Sequence, residues 1–184
     1  MNLFELSVLD FIKETFTCKA FDWFMPFITK FGDHGIFWIA LSVFFIIFKK
    51  TRKMGLTMGI ALLLGFLVGN IFLKNVVARI RPYDLNESVT LLVSKLSDYS
   101  FPSGHTLASF EAATAMTLYS KRLGVPALVL ATLIALSRLY LYVHYPTDVL
   151  AGAALGIGFA FLAFFIIKKV EEKWFCGHKI LDKN

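Results

Sequence analysis

The chain has 184 residues, 57% of them hydrophobic and 17% charged, against about 45–50% and about 25% in an ordinary soluble domain. A soluble globule of this length needs more polar residues to face water, and with a mean hydropathy of +0.67 and 20 phenylalanines the surplus apolar surface must face lipid. This excludes a soluble enzyme, a disordered chain and a disulfide scaffold. The net charge of +6 does not point to nucleic acid, because the cations form small clusters between apolar runs and no contiguous basic face. Cys18 and Cys176 match no metal-ligand or redox spacing and read as free thiols.

Residues 1–15 alternate Leu3, Phe4, Leu6, Leu9 and Phe11 with Glu5, Asp10 and Lys13, which predicts an amphipathic interfacial helix. No basic start followed by a small-residue cleavage site precedes it. Residues 16–31 hold an apolar stretch interrupted by Lys19 and Asp22, and read as a first span. Clearer spans follow at Gly35–Phe48, Met54–Leu73, Ser103–Tyr119, Val125–Val143 and Val149–Ile167. A tight turn is expected at Gly124-Val125-Pro126. The small residues Gly152, Gly156 and Ala160 recur every four positions, a spacing that admits a close helix neighbour. The expectation is an all-α polytopic membrane helical bundle, six spans in one domain over residues 1–184.

Lys49, Lys50, Arg52 and Lys53, then Lys121 and Arg122, then Lys168, Lys169 and Lys173 fall at one alternate set of helix ends, which should be cytoplasmic. Six spans put both termini there, in a plasma membrane of bacterial type. The long loop from Tyr83 to Phe101 is then extracytoplasmic and acidic, with Asp84, Glu87 and Asp98, and its apolar residues Val89, Leu91, Leu92, Val93 and Leu96 are expected to lie on the membrane and shape lipid entry.

The same outer ends carry Lys74, Arg79, Arg81, His105, Arg138, His144 and Asp148. Each charge at membrane depth costs about 2.5–3.5 kcal/mol on insertion scales, and this side should be depleted in cations. Convergence on a bound anion accounts for them, with arginine supplying a fork suited to phosphate oxygens. Phe101-Pro102-Ser103-Gly104-His105 opens a helix whose first backbone N–H groups can meet phosphate. His144 and Asp148, four apart around Pro146, can set a carboxylate against one imidazole nitrogen and leave the other for substrate.

Lys74 with Arg81-Pro82, then Pro102-Ser103-Gly104-His105, then Ser137-Arg138 with His144 and Asp148 resemble the three-part signature of the type 2 phosphatidic acid phosphatase superfamily, with no position departing from it. The resemblance covers residues 74–82, 102–105 and 137–148. It implies metal-independent hydrolysis of a phosphate ester or diphosphate through a phosphohistidine, with no cofactor. In that scheme His144 is the nucleophile, Asp148 orients it, and His105 is the general acid. Lys74, Arg81, Arg138, Ser103 and the Gly104 N–H hold the phosphoryl oxygens. Three cations then do what Mg²⁺ does in other phosphoryl-transfer sites.

A lipid phosphate with its tail in the bilayer is the expected substrate. The stretch Phe27–Asp33 is similar to that of small undecaprenyl diphosphate phosphatases, which makes undecaprenyl diphosphate the first expectation. Phosphatidic acid, phosphatidylglycerol phosphate and lipid A phosphate are the alternatives. The superfamily also holds vanadate-dependent haloperoxidases, but those are soluble. A non-enzymatic anion- or lipid-binding membrane protein would keep the cations without needing His105 or the His144–Asp148 pair. Arg79, two positions before Arg81, is a candidate for phosphate contact but reads first as an interfacial anchor. Glu111 lies about 240° around the helix from His105 and reads as a structural hydrogen bond to another helix, with Asn70 a candidate partner.

Overall fold

The computed structural model describes residues 3–86 and 88–181, with side chains as far as residue 173. Glu87 and the Cys176 thiol lie outside that description, and Cys18 is an exposed free thiol. The described residues are helical and joined by turns and one long loop. In chain order the helices are α1 (Leu3–Phe16), α2 (Lys19–Thr29), α3 (Ile36–Ile47), α4 (Arg52–Leu64), α5 (Lys74–Val77), α6 (Pro82–Leu85), α7 (Gly104–Tyr119), α8 (Lys121–Tyr140) and α9 (Pro146–Leu181). A 3₁₀ turn, Lys30–Gly35, joins α2 to α3, and a π-helical stretch, Gly65–Leu73, joins α4 to α5. Four segments are long and apolar enough to cross a membrane: Lys19–Ile47, Arg52–Leu85, Lys121–Tyr140 and Pro146–Lys173.

Helix α7 is the axis of the bundle. Its Leu107, Ala112, Ala113, Ala115 and Met116 are buried, and so are its polar Thr106, Ser109 and Glu111. At about 24 Å it is shorter than the hydrocarbon layer of about 30 Å, but α3, α4, α8 and α9 enclose it, so it need not meet lipid. Enclosure also explains its polar residues, which find partners in neighbouring helices: the Trp38 indole N–H donates to Ser109 Oγ at 3.0 Å. The lipid-facing helices show the reverse, with Ile36, Val43, Ile47, Phe66, Ile71, Leu150 and Phe165 all exposed.

The small-residue stripe of α9 faces α7. A Cβ on Gly152 would stand 2.8 Å from the Ser103 carbonyl oxygen, and one on Gly156 2.7 Å from that of Leu107. Backbone carbonyls cannot swing aside, so only glycine admits this approach. Gly124 plays the same part at the opposite end of α7. The turn there is centred on Ser120, so α8 begins at Lys121, ahead of the Gly124-Val125-Pro126 turn expected, and carries Pro126 within it.

The N-terminal quarter departs most from the sequence expectation. Residues 16–31 do not run the length of the bundle. Tyr140 Oη donates to Asp22 at 2.7 Å and Arg138 donates to Thr29 at 2.6 Å, so both halves of α2 meet the same end of α8. Helix α1 lies at that end too, with Tyr142 Oη donating to Asp10 at 2.7 Å. The chain thus carries α2 and α3 within one candidate span, Lys19–Ile47, with α2 held against the end of α8. Its N-terminal helix and the far part of α9, where Lys53 pairs with Glu171, lie at opposite ends. Lys19 and Asp22 interrupt the apolar run, and the polar groups of this segment settle where the end of α8 offers them partners.

The 85–100 loop also differs. Val89, Leu91 and Val93 turn inward onto a cluster of Tyr83, Tyr140, Leu141 and Tyr145, while Leu92 stays exposed. Tyr83 pins the loop, its hydroxyl bonding both the N–H and the carbonyl of Leu96 at 3.0 Å.

Gly156→Ala should lower stability. The helix gain of about 0.5–1 kcal/mol is smaller than an overpacking cost of about 1–3 kcal/mol. The expected fall in thermal midpoint is about 2–8 °C in a fluorescence melt, whereas Gly158→Ala, with nothing within 4 Å of the new Cβ, should produce no fall.

Candidate active site

The three motif segments meet at one end of the bundle, and each arrives for a local reason. Ala78 adopts φ 46° at the end of α5, which turns the chain so that Arg79 and Arg81 project into the bundle end before Pro82 starts α6. Ser103 precedes the first residue of α7, and the loop after α8 carries Tyr142 at φ 61°, a left-handed backbone held by its hydroxyl, which donates to Asp10 and accepts from Asn86 Nδ2.

His144 is 1% exposed. Its Nε2 lies 3.3 Å from Arg81 Nη1. A guanidinium can only donate, so Nε2 is the unprotonated nitrogen and Nδ1 carries the hydrogen. Nδ1 faces Asp148 Oδ2 at 3.6 Å and Ser100 Oγ at 3.4 Å, and Ser100 in turn donates to the same Asp148 oxygen at 2.5 Å. Complete burial pushes the His144 imidazole down from the ordinary histidine range to about 3; Arg138 and Arg81 add to the depression and Asp148 opposes it. The ring is neutral, with a free lone pair on Nε2.

Asp148 is fully buried. Besides Ser100 it accepts from the Tyr145 N–H at 3.0 Å and from Arg79 Nη1 at 2.6 Å. Arg79 is therefore no interfacial anchor: it holds Asp148 from behind, stacked on the Tyr145 ring at 3.8 Å. Ser103 is buried, but its N–H donates to the Asp148 carbonyl at 3.1 Å and so is not free for an anion. Its Oγ accepts from Thr106 at 3.0 Å. Gly104 stands against Asn70, where a Cβ would meet Oδ1 at 2.8 Å. Asn70 thus serves this corner and does not pair with Glu111, whose carboxylate lies against Gly65 with Oε1 unpartnered.

The cations divide by partner. Arg81, 2% exposed, donates to Asp98 Oδ1 at 2.6 Å and to the carbonyl oxygens of Val143 and Asp98 at 2.8 Å. Lys74 pairs with the other Asp98 oxygen. Partial burial acts upward on Asp98, but the two cations outweigh it and hold its carboxyl at about 2. Arg138 is different. It is 2% exposed and, among the described residues, bonds only the Thr29 hydroxyl and leaves Nε with no partner. His105 Nε2 meets Asp33 Oδ1 at 2.8 Å, and Gly32 lies so close that a Cβ would stand 2.7 Å from the ring.

All of Lys74, Arg81, Ser103, Gly104, His105, Arg138, His144 and Asp148 therefore gather at one end. Sequence reading missed Asp33, Ser100, Thr29 and Glu5, and counted Asp98 only as loop acidity. Each belongs to a different segment, and nothing in its spacing ties it to the motifs.

The profile of the PAP2 superfamily matches residues 50–172. The chain belongs to the PAP2 superfamily. An undecaprenyl-diphosphatase of Sulfolobus acidocaldarius is 37% identical over 154 residues, covering 80% of this chain and 74% of the relative. Among solved PAP2-type structures, Aquifex aeolicus LpxE superposes with a TM-score of 0.75 at 29% identity, covering 86% of this chain and 93% of its own. A Bacillus subtilis transmembrane PAP2-type phosphatidylglycerolphosphate phosphatase gives 0.71 at 26% identity, covering 94% and 88%. The chain is thus an integral membrane lipid phosphatase, a hydrolase of phosphoric esters, and its cations and histidines are read below as PAP2 machinery.

The depressed His144 basicity has a direct readout. Because its value in the fold lies below the ordinary one of about 6.5, the neutral form persists as pH falls and is lost only in strong acid. Histidine ¹⁵N NMR of the purified protein, assigned with His144→Ala, should show a neutral, Nδ1-protonated ring at about pH 5; an imidazolium signal there would contradict the geometry.

Proposed function

We propose that residues 1–184 form one membrane phosphatase domain that hydrolyses undecaprenyl diphosphate to undecaprenyl phosphate and phosphate, without metal, through a phosphohistidine at His144. The observation that carries it is Arg138: a guanidinium 2% exposed, paired with no carboxylate among the described residues, with a donor left over. An uncompensated buried charge costs several kcal/mol, which a bound phosphate would repay. Phosphate would also displace Asp98, since a dianion outcompetes one carboxylate for Lys74 and Arg81.

The lone pair on His144 Nε2 attacks phosphorus, forming the P–N bond as the bond to the leaving phosphoryl oxygen breaks. His105, protonated on both ring nitrogens once the anionic substrate lies beside it, donates its Nε2 proton to that oxygen and is left neutral. Asp148 stabilises the imidazolium left on His144. Water, giving its proton to His105, then attacks the phosphohistidine and releases phosphate, restoring both histidines. Lys74, Arg81, Arg138, Ser103 and the Gly104 N–H neutralise the charge spread over the equatorial oxygens, where most of the catalysis of phosphoryl transfer resides.

The diphosphate choice rests on the 37% identical relative, named for that substrate. Topology follows from charge. The end opposite the site carries Lys49, Lys50, Arg52, Lys53, Lys121, Arg122, Lys168, Lys169 and Lys173, and is read as cytoplasmic. The site and α1 then face outward and the end of α9 inward.

Phosphate release by the purified protein in EDTA should match that in Mg²⁺, and should be fastest with undecaprenyl diphosphate in a panel including phosphatidic acid, phosphatidylglycerol phosphate and lipid A phosphate. His144→Ala should lower kcat by more than about 10³-fold. Strict dependence on Mg²⁺, or unimpaired turnover in that variant, would sink the mechanism.

A further inference from the structure

Helix α1 lies outside residues 50–172 that match the superfamily profile, and it turns one carboxylate inward beside its apolar face. Phe4 and Phe11 are exposed while Glu5 is 4% exposed and Leu9 is buried. A charged residue turned inward from a surface helix needs a partner of comparable strength. Glu5 has three: Oε1 accepts from the Thr147 N–H at 3.0 Å and its hydroxyl at 2.6 Å, and Oε2 accepts from Arg79 Nη2 at 2.5 Å. Burial alone would push its carboxyl up, but the bonds from Thr147 and Arg79 outweigh that and hold it below the ordinary range.

We infer that Glu5 is a positioning residue for His144: through Arg79 it governs how much of the Asp148 charge is left for the nucleophile. The argument is one of charge and reach. Arg79 stands between two carboxylates, Nη2 on Glu5 and Nη1 on Asp148 Oδ1 at 2.6 Å. Glu5, Arg79 and Asp148 together carry one net negative charge, which faces Nδ1 and can balance the imidazolium that forms when Nε2 is phosphorylated. Without the Glu5 charge the trio is neutral, and Arg79 draws Asp148 toward itself and away from a ring already 3.6 Å distant. Arg79 also has room to move, because a groove of about 660 Å³ between Leu6, Ile80 and Leu85 opens beside it. Glu5 lines the same groove and holds the guanidinium at its edge. The N-terminal helix is thereby part of the reaction centre without touching substrate.

This inference rests on the phosphohistidine reading above. Glu5→Gln keeps the shape and loses the charge. We expect its kcat to fall about tenfold with KM within about twofold. Glu5→Asp, which keeps the charge, should recover kcat to within about threefold of the parent. Glu5→Gln and Arg79→Gln should not multiply in the double variant, since both act through Asp148. Full kcat in Glu5→Gln, equal loss in the Gln and Asp variants, or independent effects of the two sites overturns the inference. His144→Ala, assayed alongside, separates the two levels: if it stays active the underlying reading falls, and if it is dead while Glu5→Gln is unimpaired only the role of Glu5 falls.

Discussion

Asp148 is the point through which the site is held together. Its side chain takes Arg79 from the first motif region, Ser100 from the loop before the second, and the Tyr145 N–H from its own turn, while its main-chain carbonyl takes the Ser103 N–H at the mouth of α7. Three stretches of the chain, at residues 79, 100–103 and 145–148, thus converge on one fully buried carboxylate. A buried charge is tolerated only when its partners are all present, so each of these segments is positioned by the demand of the same group. His144 inherits its orientation from that arrangement.

A balance of charge surrounds this centre. Lys74 and Arg81 share Asp98, Arg79 shares Glu5 and Asp148, and His105 faces Asp33, whereas Arg138 has, among the described residues, only a hydroxyl. The pairings hold the cations close together in spite of their mutual repulsion, and the unpaired one marks where negative charge is still wanted. Asp98 and Asp33 are both half exposed, in segments that a stronger anion can push aside. The cations of the site therefore stand close together, with both carboxylates at its half-exposed rim.

The scaffold serves the same end. Because α7 is enclosed, its first turn can carry Ser103, Gly104 and His105 into the site while its body holds serine, threonine and Glu111 away from lipid. Gly152 and Gly156 let α9 press against it, and that contact brings Asp148, near the start of α9, within reach of Ser103. Catalytic geometry here depends on helix spacing, and helix spacing on the absence of a methyl group.

By itself the sequence determined that this chain is an all-helical membrane protein with phosphatase chemistry at one end. Lipid demands long uncharged runs, and scarce charges in such runs stand out, so Lys74, Arg81, His105, Arg138, His144 and Asp148 were legible by position alone. The tertiary structure decided what spacing cannot express. Residues 16–31 pack against the end of α8 because Asp22 and Thr29 find Tyr140 and Arg138, Arg79 turns to Asp148, and Ser100, Asp98, Asp33 and Glu5 enter the site from segments with no pattern of their own. Local periodicity reports which face of a helix is apolar; it carries no information about which distant carboxylate a buried cation will meet, because that is settled only when the helices close on one another.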